Sequence, residues 1–164
     1  MASTSPDFFR ILQTLTNRQV DFILVGGVCA VLHGAPVSTF DIDLVHARTV
    51  GNISNLLLAL EELDARFRDP AGRRLKAKAS HLESTGHQLL ITSAGPLDLL
   101  GEIGNGLGFD ELLPNSSYID VGVGLSVRLL DLKTLIETKE AAGHEKDLAV
   151  LPILRRTLEE RGDE

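Results

Sequence analysis

An apolar run, Phe22-Ile-Leu-Val, ends on the pair Gly26-Gly27, and the chain then returns with Asp41-Ile42-Asp43. No other feature constrains the fold as tightly. Four consecutive apolar residues before a glycine pair predict a short strand buried on both faces. Val28 to His33 predicts a short helix closed by Gly34, and Phe40 to Val45 predicts a second strand. Alternate side chains on a strand face the same way, so Asp41 and Asp43 share one face while Ile42 and Leu44 take the other. Two neighbouring carboxylates repel each other unless a cation lies between them, and Mg²⁺ is the hard, oxygen-preferring ion that suits them. The glycines allow a helix N-terminus to approach an anion closely. A phosphate cradle beside metal-binding carboxylates is the minimal equipment for phosphoryl or nucleotidyl transfer.

The rest of the chain alternates short strands with helices, which predicts one α/β (α+β) domain over residues 1–164 with a mixed central β-sheet flanked by helices. Ser5-Pro6 reads as a helix start, with Pro at the first helical position, followed by Phe8, Ile11, Leu12 and Leu15 at helical spacing. Thr49 to Leu63 is the strongest helix, striped by Ile53, Leu56, Leu57, Leu60 and Leu63. Arg66 to Glu83 is ambiguous and holds one or two short strands. His87 to Thr92 and Leu97 to Leu100 read as strands joined at Ala94-Gly95-Pro96, a turn signal. Gly101 to Pro114 reads as loop with a short helix near Asp110. Tyr118 to Val121 and Leu125 to Leu129 read as strands. Asp131 is placed to cap a helix that runs to Ala142 and ends at Gly143. A last helix spans Glu145 to Glu160, where Pro152 is expected to kink it or delay its start.

Composition narrows the function classes. No run approaches twenty apolar residues, so no membrane span is expected. Met-Ala-Ser-Thr-Ser-Pro-Asp has neither a basic nor an apolar signal region, and the single cysteine, Cys29, can form no internal disulfide, so the cytoplasm is the expected location. Cys29 lies between Val28 and Ala30 and reads as packing rather than catalysis. A formal charge of −7 argues against a general nucleic-acid binder, and 4% aromatic residues argue against a base-stacking platform. Arg66, Arg68, Arg73, Arg74, Lys76 and Lys78 nevertheless cluster around Asp69. They form either a solvated loop about Asp69-Pro-Ala-Gly72 or a basic lip that meets a triphosphate or an RNA end.

The segment from Val25 through Ala30, His33-Gly34 and Thr39 to Asp41-Ile-Asp43-Leu44 resembles the signature of the DNA polymerase β-type nucleotidyltransferase superfamily. Within it, the chain is most similar to the small AbiEii-type and minimal nucleotidyltransferases, many of them toxin–antitoxin or phage-defence components. Gly95-Pro-Leu-Asp-Leu-Leu-Gly101 resembles the strand that brings that family's third carboxylate, here Asp98. Leu132 to Leu148 resembles its closing segment, so the likeness runs from about Val20 to Leu154. It departs from the pattern at Val37 and His144, where relatives often carry arginine. The resemblance implies a nucleotidyltransferase fold and transfer of a nucleoside monophosphate from a nucleoside triphosphate to a hydroxyl. It implies Asp41, Asp43 and Asp98 holding two Mg²⁺ ions, and Gly26, Gly27, Thr39, Lys139 and Asp147 contacting the nucleotide. The acceptor classes are an RNA end, a cognate toxin or antitoxin protein, and a small molecule. The departures at Val37 and His144 motivate a second reading, a catalytically weak subunit that binds a partner protein.

The residues themselves leave alternatives beside these roles. Asp98, flanked by leucines, either completes a triad with Asp41 and Asp43 or faces water at a strand edge. Lys139 shares a helix face with Leu132, Leu135 and Ile136, and Asp147 aligns with Leu151, Leu154 and Leu158. They either serve a bound anion or pair with each other; Lys146 points elsewhere and is expected to be exposed. His33 reads as capping or packing. Ser38 precedes Thr39, which is expected to support the site by bonding phosphate or backbone. His81 and His87 lack zinc-site spacing. Gly104-Asn-Gly-Leu-Gly108 lacks the spacing of a dinucleotide fingerprint and reads as loop.

Overall fold

A computed structural model describes residues 6–162 of the chain. Helix α1 (Phe8–Asn17) is headed by Asp7, whose side chain accepts from the Arg10 N–H at 3.1 Å. The helix thus starts after Pro6 rather than on it, and Ser5 lies outside the described residues. Strand β1 (Phe22–Val25) leads into α2 (Gly26–Leu32), and β2 (Ile42–His46) follows. Next come α3 (Val50–Glu62), β3 (Arg66–Phe67), α4 (Ala79–Glu83), β4 (His87–Thr92) and β5 (Gly95–Leu100). The chain closes with α5 (Phe109–Leu112), β6 (Ser116–Asp120), β7 (Ser126–Leu130), α6 (Leu132–Ala142) and α7 (Glu145–Glu160).

The strands form one seven-stranded sheet in the order β3-β4-β5-β2-β1-β7-β6. It is mixed: β1 pairs antiparallel with β2 and parallel with β7, and β2 pairs parallel with β5. All four residues of β1 are buried, as their unbroken apolar run requires of an interior strand. Along β2, Ile42, Leu44 and His46 alternate onto the face away from the carboxylates and are buried there. The His46 ring nitrogen Nε2 donates to the Leu82 carbonyl at 2.9 Å, which places α4 against that face. Helices α1, α3 and α4 touch in succession, and α2, α6 and α7 form a second connected group. Their apolar residues join those of the sheet in one core cluster.

Asn52 ties the β1–β2 pair to α3. Its side chain accepts from the Asp21 N–H at 2.7 Å and donates to the carbonyls of Asp21 and Ala47 at 3.0 and 2.7 Å. One buried amide thereby clamps the residue before β1 to the residue after β2.

The structure moves several predicted boundaries. Helix α2 begins at Gly26, so the glycine pair forms its first turn instead of preceding it. Strand β2 begins at Ile42, leaving Phe40 and Asp41 in a bend. The ambiguous stretch supplies one two-residue strand, a turn at Asp69–Gly72, and the single-turn α4. Asp131 heads α6 without a side-chain cap bond, and Gly143 ends it in the left-handed region at φ 65°. Helix α7 starts at Glu145 despite Pro152, whose missing N–H would have been donated to the carbonyl of Leu148, a half-exposed residue.

Candidate active site

Two adjacent strands and one bend bring the acidic residues together. In the parallel β2–β5 ladder Asp43 and Asp98 are direct register partners, so their side chains leave the same face side by side. Asp41 joins them from the bend before β2, which the Thr39 hydroxyl holds by donating to the Asp41 carbonyl at 2.9 Å. One carboxylate oxygen from each of the three lies within 4.8 Å of the others. Among the described residues no second cluster of this kind occurs.

The glycine pair is explained by this cluster. Gly26 has φ +70°, and a Cβ there would lie 2.2 Å from Asp43 Oδ2. A Cβ on Gly27 would lie 2.6 Å from Thr39 Oγ1. The start of α2 therefore abuts the acidic strand and the loop before it so closely that side chains are excluded from both positions. The sequence pointed these glycines toward phosphate; in the fold they leave room for Asp43 and Thr39.

Electrostatics at the cluster are strained. Burial raises the Asp98 carboxyl to about 8, reinforced by its hydrogen bonds with Asp43 and Asp41 and opposed by Arg68. Burial also raises Asp43; its hydrogen bond with Asp98 works against this, and the charge of Asp41 adds to it. Asp43 Oδ1 is buried with no hydrogen-bond partner among the described residues. A buried carboxylate oxygen without a donor is costly, and a divalent cation removes that cost. The donor set consists of carboxylate oxygens, the chemistry of Mg²⁺ rather than of zinc or copper sites. These residues fit a hard divalent ion.

A cleft of about 290 Å³ opens beside the cluster. Asp41, Asp43, Lys139, Lys146 and Asp147 line its polar side, and Ala30, Val37, Phe40, Val150 and Leu154 its apolar side. Lys139 donates to Asp147 Oδ1 at 3.2 Å, joining α6 to α7. Both readings of this pair thus meet at one place, since the ion pair is made in the cleft wall. Lys146 is exposed as expected, but it lines this cleft, contrary to the expectation that it points elsewhere. Lys146, Asp147 and Val150 lie in the first two turns of α7, which line the cleft together.

Arg68 was not singled out from the basic cluster, yet it forms an ion pair with Asp98. Four other cations of that segment are engaged locally: Arg66 and Arg74 with Asp64, Arg73 with Asp69 at 2.6 Å, and Lys76 with Glu61 at 3.1 Å. Only the pairing of β3 with β4 reveals which arginine reaches the site. Val37 and His144 also have definite places. Val37 lies in the apolar wall, and His144 heads α7, accepting the Leu148 N–H at 2.9 Å.

The remaining candidates are structural. His33 Nε2 donates to the Leu130 carbonyl at 2.7 Å, and the buried Cys29 thiol donates to the same carbonyl at 3.3 Å. Burial pushes the Cys29 thiol up to about 12, so it stays protonated at neutral pH. His81 and His87 bond backbone groups at 2.9 Å each, and Gly104 packs its backbone against Thr138.

Neither a family model nor a curated protein matches the chain. Among solved structures, a candidate nucleotidyltransferase from Thermotoga maritima superposes with a TM-score of 0.53 at 17% identity, covering 93% of this chain and 91% of that one. The chain has a nucleotidyltransferase fold. At this identity the likeness speaks for the arrangement of helices and strands. The chemistry has to be argued from the acidic cluster and its cleft. No helix among the described residues is long and apolar enough to cross a membrane.

Proposed function

We propose that the protein is a Mg²⁺-dependent nucleotidyltransferase that moves a nucleoside monophosphate from a nucleoside triphosphate to a hydroxyl acceptor. The observation that carries this reading is the convergence of Asp41, Asp43 and Asp98 within 4.8 Å on one face of the sheet, at the edge of a cleft. The fold shared with the Thermotoga maritima protein and the AbiEii-type resemblance of the sequence support it.

In this reading the three aspartates hold the ion, and Lys139 and Lys146 offset charge on the triphosphate lying in the cleft. Bound there, Mg²⁺ supplies Lewis acidity toward phosphoryl oxygens and lowers the pKa of the acceptor hydroxyl. Gly27 lines the cleft and leaves its backbone open to the triphosphate. Thr39 fixes the bend that presents Asp41. The apolar wall of Val37, Phe40, Val150 and Leu154 receives the nucleoside. The acceptor is an RNA end, a partner protein's hydroxyl or a small molecule, all of which the same core serves.

The test replaces Asp41 and Asp43 together with asparagine. Transfer from α-labelled nucleoside triphosphates, offered with RNA, protein and small-molecule acceptors, is expected to vanish while the protein remains folded. Transfer that continues at the wild-type rate refutes the assignment. A wild-type protein that binds no nucleotide with Mg²⁺ by calorimetry, yet holds a partner protein in a stable complex, favours the non-catalytic subunit.

A further inference from the structure

Asp98 does not face its neighbouring carboxylates alone. Arg68 follows β3, and its backbone N–H donates to the Leu89 carbonyl at 3.1 Å. Leu89 is in turn the register partner of Asp98 in the β4–β5 ladder. The sheet itself therefore sets the Arg68 backbone two strands away from Asp98, and its guanidinium reaches across to the carboxylate. The Asp98 side chain is 11% exposed, so this pairing takes place in partly excluded solvent, where a charge contact is screened less than at the surface. Four other basic residues on this segment are held by Asp64, Asp69 and Glu61.

Three carboxylates and one guanidinium sum to the charge that a single divalent ion neutralises. A second divalent ion has to share Asp98 with a fixed positive group at contact distance, and like charges at that range repel strongly. We propose that Arg68 takes the place of one of two cations, so that the triad binds a single divalent ion and Arg68 serves as a built-in counter-charge on Asp98. This rests on the reading of the triad as a metal site. It revises the number of ions the sequence led us to expect. Arg68 supplies charge and hydrogen-bond donors but no coordination position, which makes it a positioning residue for Asp98.

Titration with Mn²⁺, followed by the electron paramagnetic resonance of the free ion and without nucleotide, counts the sites. Wild type is expected to bind one Mn²⁺ per chain and Arg68→Gln two. Arg66→Gln removes the same charge two residues away, within β3, and is expected to bind one, as is Arg68→Lys. Two ions in wild type, or one in Arg68→Gln, overturns the proposal while leaving the metal site standing. No ion in wild type removes the metal reading and this proposal with it. A wild-type readout covers the case in which Arg68→Gln does not fold. The guanidinium NMR signals of Arg68 are expected to stay slowly exchanging at saturating Mg²⁺, and their collapse to a solvent-averaged signal means displacement, which the proposal forbids.

Discussion

Asp43 and Asp98 stand opposite each other in a parallel ladder, so the two partnered side chains leave the same face at the same height. Repulsion between them is built into the backbone register, and the fold pays for it until a proton or a metal cation arrives. Asp43→Asn removes one of the facing charges and its burial cost. Metal-free Asp43→Asn is expected to melt about 2–4 °C above wild type at pH 8, the shift for about 1 kcal/mol in a chain of this size. It is also expected to lose the stabilisation by Mg²⁺ expected of wild type. Differential scanning calorimetry with and without the ion checks both, and a lower melting temperature for the metal-free variant counts against register-driven repulsion.

Protons and cations compete for the same carboxylates. Asp98 is raised to about 8, so the folded protein keeps a proton that the unfolded chain releases near pH 4. From this group, stability is fully present below about pH 4 and is lost as pH rises toward 8. His46 acts in the opposite sense: burial lowers its imidazole, so the folded state stays neutral where the unfolded chain takes up a proton. Its contribution is present above about pH 6.5 and is lost on acidification. Because Mg²⁺ must displace the Asp98 proton, the rise in melting temperature at fixed Mg²⁺ is expected to be larger at pH 8 than at pH 6. An equal rise at both values argues that the ion binds elsewhere.

Gly26→Ala places a methyl 2.2 Å from Asp43 Oδ2 on a backbone at φ +70°. Left-handed strain and overpacking together are expected to cost about 3 kcal/mol. Gly27→Ala meets Thr39 without a positive φ and is expected to cost about 1–2 kcal/mol. Urea unfolding measures the two, and the order of the costs is the point at issue. If Gly27→Ala is the more damaging, the close approach of Gly26 to the acidic strand is not what fixes the start of α2.

Asn52→Leu leaves the Asp21 N–H and the Ala47 carbonyl without their partner, while the Asp21 carbonyl keeps the Ala47 N–H at 3.1 Å. Unsatisfied buried groups set the expected cost at about 2–4 kcal/mol. Asn52 is remote from the cleft lining, so nucleotide affinity of the folded variant is expected to match wild type. Calorimetric titration at a temperature where the variant is fully folded separates the two effects.

The acidic strand was legible in the sequence because its information is local. Period-two alternation placed Ile42 and Leu44 inward and Asp43 outward, and the structure keeps that split. Asp98 was legible only as a lone charge among leucines. That it meets Asp43 depends on which strands become neighbours, which no short-range pattern encodes. Arg68 was hidden for the same reason: six basic residues within thirteen positions look alike until the β3–β4 register selects one. Asn52 gave no signal, since an asparagine in the first turn of a helix is ordinary until its partners from two loops are known.

The bond between Lys139 and Asp147 is also a partition. A second hollow of about 140 Å³ lies behind the main cleft, and both are bounded by Asp43, Lys139 and Asp147. Drawing the ammonium off its carboxylate is therefore expected to do more than release a charge: it loosens a boundary that two hollows share beside Asp43.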